Sequence, residues 1–274
     1  MATLHYLDAA DDPRLIDYRD LTDMDLRLRT EVANGVFMAE GFWVLERALG
    51  VGISPRSVLC LPKFESRVMS LLAENGVDTD VFVGTEEVLK TITGYRVHRG
   101  ALAAMNRPPH AVLDTVVASG GDLLILENLV DPTNVGLAIR SAAALGFTGV
   151  VISARCADPL YRRAVKASMG AVLGLPWHRS LDLRSSVQSL SDAGIDVLAL
   201  TPDVHAPQLH AVLGSDVPRV GLLVGTEGVG LTSRLLAAAR TQARIEMAPG
   251  VDSLNVAAAV AVAAYAVQTA RRTR

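Results

Sequence analysis

Three stretches in the second half of the chain hold residue types that could do chemistry. The first is LENLVDPTNVGLAIRSAAALGF, residues 126–147. A turn at Asp131 and Pro132 leads into a helix starting near Asn134, whose side chain suits a helix cap or a ligand contact. Between residues 135 and 145 only Arg140 and Ser141 carry polar side chains. A helix so apolar reads as buried. Arginine is tolerated there when it is ion-paired or faces a cleft. Gly136, four residues earlier on the same face, leaves space beside it. The second stretch is GLLVGTEGVGL, residues 221–231, where an apolar strand runs into Gly225, Gly228 and Gly230 with Glu227 among them. Such glycines let the backbone take positive φ and approach a ligand closely. The spacing fits neither the dinucleotide fingerprint nor the P-loop, and an ordinary turn also accounts for it. The third is IEMAPGVDSLNVAAAVAVAAYAV, residues 245–267. A strand leads into a loop with Pro249 and Gly250. Ser253 is placed to cap a long helix, and Asn255 lies in its first turn, where unpaired N–H groups gather. That helix is Ala and Val on every face.

The elements that must position these residues alternate. From Asp122 onward DLLILE, TGVVIS, IDVLAL, RVGLLV and ARIEM are short, near-continuous apolar runs, as expected of strands covered on both faces. Helices are expected between them at 134–146, 160–171, 182–193, 231–240 and 253–272, which predicts a parallel α/β sheet. Residues 22–50 read as helical. Strand-like runs follow at 57–61 and 80–83, with a helix near 66–74 between them and a last strand at 99–105. Asn106-Arg107-Pro108-Pro109 is a stiff polar break. The reading is therefore a domain over 1–106, a linker over 107–120 and a second domain over 121–274.

Composition narrows the class. The chain has 274 residues and is 50% hydrophobic but only 4% aromatic, so a sizeable core must be built from Ala, Val, Leu and Ile. The net charge is −3, no global sign of a nucleic-acid binder. Up to residue 106 there are eleven Lys and Arg against sixteen Asp and Glu, a net of −5, and the rest is +2. Cys60 and Cys156 make neither a disulfide framework nor a metal site. The N-terminus lacks the pattern of a signal peptide, and residues 256–267 are too few to span a bilayer. A soluble, cytoplasmic protein without a metal is expected.

Taken together, the three stretches resemble the SpoU (TrmH-like) family of S-adenosylmethionine-dependent RNA 2′-O-ribose methyltransferases. The resemblance rests on N-x-G-x-x-x-R at residues 134–140, G-x-E-G-x-G-L at 225–231 and S-L-N-V at 253–256. DPLYRRAVKASMGAVLGLP, residues 158–176, looks like the family's K/R-x-S-x-G-A segment. FMAEGFWVLERAL (37–49) and ITGYRVHRGALAAM (92–105) look more loosely like its substrate-binding domain, which is similar to a small ribosomal protein. One departure is Glu246, which stands where relatives often have Pro.

The resemblance implies a parallel-sheet, trefoil-knot methyltransferase domain preceded by a smaller α/β domain that selects RNA. It also implies a homodimer packed through the last helix. S-adenosylmethionine would sit in the knot on Thr201, Gly225, Gly230, Ile245, Met247 and Leu254. Arg140 matches the residue that activates the ribose hydroxyl, as base or by stabilising the forming alkoxide. Asn134 would hold Arg140 or a phosphate, and Glu227, Ser253 and Asn255 would orient Arg140 and the nucleotide. Arg155, Arg162, Arg163 and Lys166, with the 271–274 tail, are the expected phosphate contacts, joined by Arg96 and Arg99 in the first domain. Ribosomal RNA is expected over transfer RNA, because transfer-RNA relatives often lack the first domain. The alternatives are transfer-RNA methylation, methylation of a base nitrogen, and a catalytically silent knotted RNA-binding protein.

Overall fold

The computed structural model describes residues 2–97, 100–214, 218–226 and 228–272. It divides into two units, Met1–Pro109 with Leu160–Gly174, and His110–Pro159 with Leu175–Arg274. The first segment of the first unit ends at Pro109. The expected assignment of everything beyond 121 to one domain is corrected, because Leu160–Gly174 packs with the first unit.

The first unit runs β1 (Thr3–Leu7), α1 (Met24–Ala33), β2 (Val36–Glu40), α2 (Phe42–Gly50), β3 (Pro55–Cys60), α3 (Glu65–Glu74), β4 (Asp80–Gly84), α4 (Glu86–Thr93) and β5 (Ala101–Asn106). Its sheet has the order β1-β4-β3-β5-β2. β1, β4 and β3 are parallel, and β5 is antiparallel to both β3 and β2. Leu15, Tyr18, Leu59, Phe82, Leu89 and Leu102 fill one face. Tyr18 is fully buried, and its Oη pairs with Ser57 Oγ at 2.8 Å.

The single helical reading of 22–50 is corrected. Gly35, at φ +62°, ends α1. Val36–Glu40 is then a strand buried at every position, and Gly41, at φ +96°, turns the chain into α2. Both positions need the left-handed backbone that glycine adopts without strain.

The second unit opens with α5 (Leu113–Ala118), β6 (Asp122–Leu126), α6 (Pro132–Ala144) and β7 (Phe147–Ser153). The chain then contributes α7 (Arg162–Ala167) and a 3-10 turn, Ala171–Gly174, to the first unit. It resumes in the second unit with β8 (Trp177–Ser180), α8 (Leu183–Asp192), β9 (Asp196–Leu200), α9 (Leu209–Val212), β10 (Val220–Val224), α10 (Ser233–Leu236), β11 (Thr241–Ala243) and α11 (Val256–Arg272). The sheet has the order β11-β9-β10-β6-β7-β8 and every pairing is parallel. The expected linker is partly helical, since α5 lies inside it and buries Val116. The expected last strand is shorter than ARIEM and ends at Ala243.

Beyond β11 the chain is clasped by residues 206–209. Arg244 N donates to Pro207 O at 2.9 Å, Leu209 N donates to Arg244 O at 2.8 Å, and Arg244 Nε donates to Ala206 O at 3.2 Å. Among the described residues, no helix is long and apolar enough to cross a membrane, and no cluster of metal-ligating side chains occurs.

Candidate functional site

The expected cofactor residues leave three adjacent strands at the same end. Thr201 follows β9, Gly225 follows β10, and Ile245 and Met247 follow β11, strands that neighbour one another in the order β11-β9-β10. In open parallel sheets ligands bind beyond the carboxyl ends of strands. Thr201 N donates to Ala243 O at 3.0 Å, tying two of these ends together. A Cβ added at Gly230 would lie 4.0 Å from Pro202 Cδ, so the loop after β10 faces the loop after β9.

The glycine loop is a tight turn. Gly230 N donates to Thr226 O at 2.9 Å, and Gly228 and Gly230 take φ of +82° and +70°. A Cβ at Gly225 would meet the Gly230 carbonyl carbon at 2.3 Å, which the backbone cannot yield without moving. Residues 245–255 then run without helix or strand, with Ile245 and Met247 half-buried and Leu254 exposed. Glu227, the acidic member of the glycine stretch, lies outside the described residues.

Asn134 and Asn255 meet. Asp131 is the cap of α6, its Oδ1 accepting from Thr133 N at 2.6 Å and from Asn134 N at 3.2 Å. The Asn134 side chain is therefore not the cap, and its Oδ1 accepts from Asn255 Nδ2 at 3.1 Å. Asn255 in turn caps α11, its Oδ1 accepting from Ala257 N at 2.9 Å. Capping was expected of Ser253. That residue lies three positions before the helix and is exposed, because the loop runs on to Asn255. One asparagine thus starts the last helix and holds the first stretch to the third.

Arg140 is exposed and has no ion-pair partner among the described residues. The ion-pair explanation is excluded at those residues. The expectation of a helix buried all round is corrected as well. α6 buries Val135, Gly136, Ala138, Ile139 and Ala142, while Thr133, Leu137, Arg140 and Ala144 stay open as one stripe.

Two residues of this end went unread in the sequence. Glu127 directly follows β6 and is buried to 6% exposure, and it accepts from Thr232 N and Thr232 Oγ1, both at 2.8 Å. It anchors the far side of the glycine loop. A carboxylate directly after an apolar strand was the available signal, since a buried charge must find partners. Asn128 sits at φ +55°. Its N–H donates to Ser153 Oγ at 2.9 Å and its Oδ1 accepts from that hydroxyl at 3.1 Å.

The expected phosphate contacts divide. Arg155 and Arg163 are exposed. Arg162 and Lys166 are engaged by the buried Glu40, Arg162 Nη1 at 3.1 Å and Lys166 Nζ at 2.5 Å. Arg162 also lies over the Tyr95 ring, 4.5 Å from its centroid. Burial pushes the Tyr95 phenol up to about 12, the neighbouring Glu40 charge adding to it. Arg96 pairs with Glu86, and Arg99 lies outside the described residues. In the expected basic tail, Arg271 is bonded to the buried Asp122, and residues 273–274 lie outside the described residues. Both cysteines are free and buried, and burial raises the Cys60 thiol to about 12.

The sequence profile of the SpoU rRNA Methylase family matches residues 122–265. An uncharacterised tRNA/rRNA methyltransferase of Mycobacterium tuberculosis is 38% identical over 256 residues, covering 93% of this chain and 88% of that protein. The AdoMet-bound rRNA methyltransferase of Sinorhizobium meliloti superposes with a TM-score of 0.81 at 26% identity, over 98% of both chains. The SpoU methyltransferase AviRb of Streptomyces viridochromogenes shares the fold at a TM-score of 0.81 and 22% identity, over 96% of this chain and all of that one. With the family profile matched over more than half of its length and a relative 38% identical across 93% of it, this chain belongs to the SpoU rRNA Methylase family.

Proposed function

We propose that the chain transfers the methyl group of S-adenosylmethionine to a ribose 2′-hydroxyl of RNA, ribosomal RNA in preference to transfer RNA. The observation that carries this reading is the bond between Asn134 and Asn255, on the helix that presents an exposed Arg140 with no ion-pair partner among the described residues. The cofactor fits the loops beyond β9, β10 and β11. The glycine turn bars side chains at Gly225, and half-buried Ile245 and Met247 offer apolar walls. Thr201, Gly225, Gly230, Ile245, Met247 and Leu254 would hold it. S-adenosylmethionine supplies an activated methyl group, so the protein must position the ribose and raise the nucleophilicity of its oxygen. Arg140 would stabilise the alkoxide as it forms, the hydroxyl proton passing to solvent water at this exposed side chain. Asn134, Asn255, Ser253 and Glu227 orient the nucleotide and Arg140, and Arg155 and Arg163 contact phosphate.

The knotted C-terminal fold implied by the family resemblance belongs to the same reading. The exposed stripe of α11, with Val262 44% and Tyr265 63% accessible, supports a homodimer through that helix. A cytoplasmic location follows from an RNA substrate. The test is incubation of the purified chain with total RNA and methyl-labelled S-adenosylmethionine, followed by mapping of ribose methylation. Label at one 2′-hydroxyl of ribosomal RNA is expected. Label on a base nitrogen overturns the reading, and RNA binding without transfer assigns a silent RNA-binding protein instead.

A further inference from the structure

The first unit contains a cleft of about 400 Å³ at the start of α2, lined by Glu40, Gly41, Phe42, Trp43, Arg67 and Lys166 among others. That volume lies in the range of small-ligand sites. Trp43 is 64% exposed at its edge, unusual for so large an apolar ring. Arg67 lies 4.2 Å from the centroid of Phe42, and Lys63 lies 5.0 Å from that of Phe64. The two rings meet edge to face with centroids 5.5 Å apart. Lys166 spends one donor on Glu40 and keeps 38% of its side chain exposed. α2 begins at Gly41 with no side chain capping it, so N–H groups of its first turn lack a cap.

An exposed ring that lines one cleft of nucleotide size together with two cations, Arg67 and Lys166, fits the pattern by which proteins take unpaired RNA bases: the base stacks and the phosphate meets the cations. We propose that this cleft receives one unpaired nucleotide of the RNA, its base on Trp43 and its phosphate between Arg67, Lys166 and the first turn of α2. The inference rests on RNA being the substrate, as family membership indicates, and not on which atom is methylated. It gives the acidic first unit a local means of holding RNA by shape and stacking rather than bulk charge.

The test uses the full chain and two probes, a twelve-nucleotide oligouridine and a blunt RNA duplex of equal length. The protein has two tryptophans, and Trp177 is only 5% exposed, so fluorescence quenching reports Trp43. Oligouridine should quench and the duplex should not. Trp43→Ala should weaken oligouridine binding at least about tenfold, the scale of one lost stacking contact, and Trp43→Phe should restore most of it. Arg67→Ala should weaken binding similarly and flatten its salt dependence. Unquenched fluorescence in the wild type, equal quenching by the duplex, or wild-type affinity in both alanine variants overturns the proposal. Failure of the methyl-transfer reading shows separately, as absent labelling of RNA by a wild type whose oligouridine affinity is intact.

Discussion

Arg140 stands on α6 with its guanidinium open and no ion-pair partner among the described residues. Arg140→Ala should keep S-adenosylmethionine affinity and lose roughly 10²–10³-fold in transfer rate, the effect of removing one preorganised donor. Lysine should not rescue it, since it lacks the planar fork. Near wild-type turnover in single-turnover assays would make Arg140 a surface residue. At Gly225 a Cβ would lie only 2.3 Å from the Gly230 carbonyl carbon, so any substitution must displace the turn itself. Gly225→Ala should therefore lower both cofactor affinity and thermal stability, read by calorimetry of the two quantities in the same sample. Asn255→Ala removes a helix cap and the tie to Asn134 together, and should cost about 1 kcal/mol or more.

At the scale of elements, α11 separates into two faces. Ala257, Val260, Ala263, Ala264 and Val267 are buried within the chain, whereas Ala258, Val262, Tyr265 and Thr269 are exposed. Glutamate at Ala263 is consequently a poor probe of association, because it buries a charge inside the unit and should unfold it. Val262→Glu and Tyr265→Glu should give folded monomers without activity, measured by light scattering and circular dichroism. A wild type that is monomeric at micromolar concentration would refute the dimer. Composition showed that α11 is apolar but could not divide its faces, since small Ala and Val side chains look alike whether they meet their own sheet or another surface. The same blindness merged α1, β2 and α2 into one helix: VFMA is apolar at both periods, and only the glycines at 35 and 41 mark the turns. The long apolar runs of the second sheet were legible because burial on both faces leaves no polar residues to confuse the period. β8, WHRS, was not, since three of its four residues are polar. The three motifs were legible as types and spacings. Which asparagine caps, and what Glu127 holds, are long-range facts that spacing alone does not contain.

For the whole molecule, the division of labour is less clean than the break at 106–109 suggests. A chain beginning near Ala111 would carry Leu160–Gly174 without the unit that it packs into. Leu160, Tyr161, Ala164, Val165 and Val172 are all nearly fully buried, and removing their partners exposes a contiguous apolar segment. Such a truncation should aggregate or bind an apolar dye strongly, even though its parallel sheet is intact. A soluble, dye-silent fragment would show that the segment refolds alone. Glu40 gives the complementary test. Its carboxylate is 4% exposed and holds Arg162 and Lys166. Glu40→Ala leaves a half-buried guanidinium short of its partner and should cost about 3 kcal/mol, seen as a lowered Tm with unchanged S-adenosylmethionine affinity. This pairing also has a consequence in time. Glu40 leaves the ribosome well ahead of its two cations, which lie more than 120 positions later. At roughly 5–20 residues per second of synthesis, the nascent first unit waits on the order of ten seconds with that carboxylate unanswered. Its folding therefore closes only after β6 and β7 of the second sheet have been made, and a pause in translation before residue 174 should leave the emerged N-terminal part sensitive to protease.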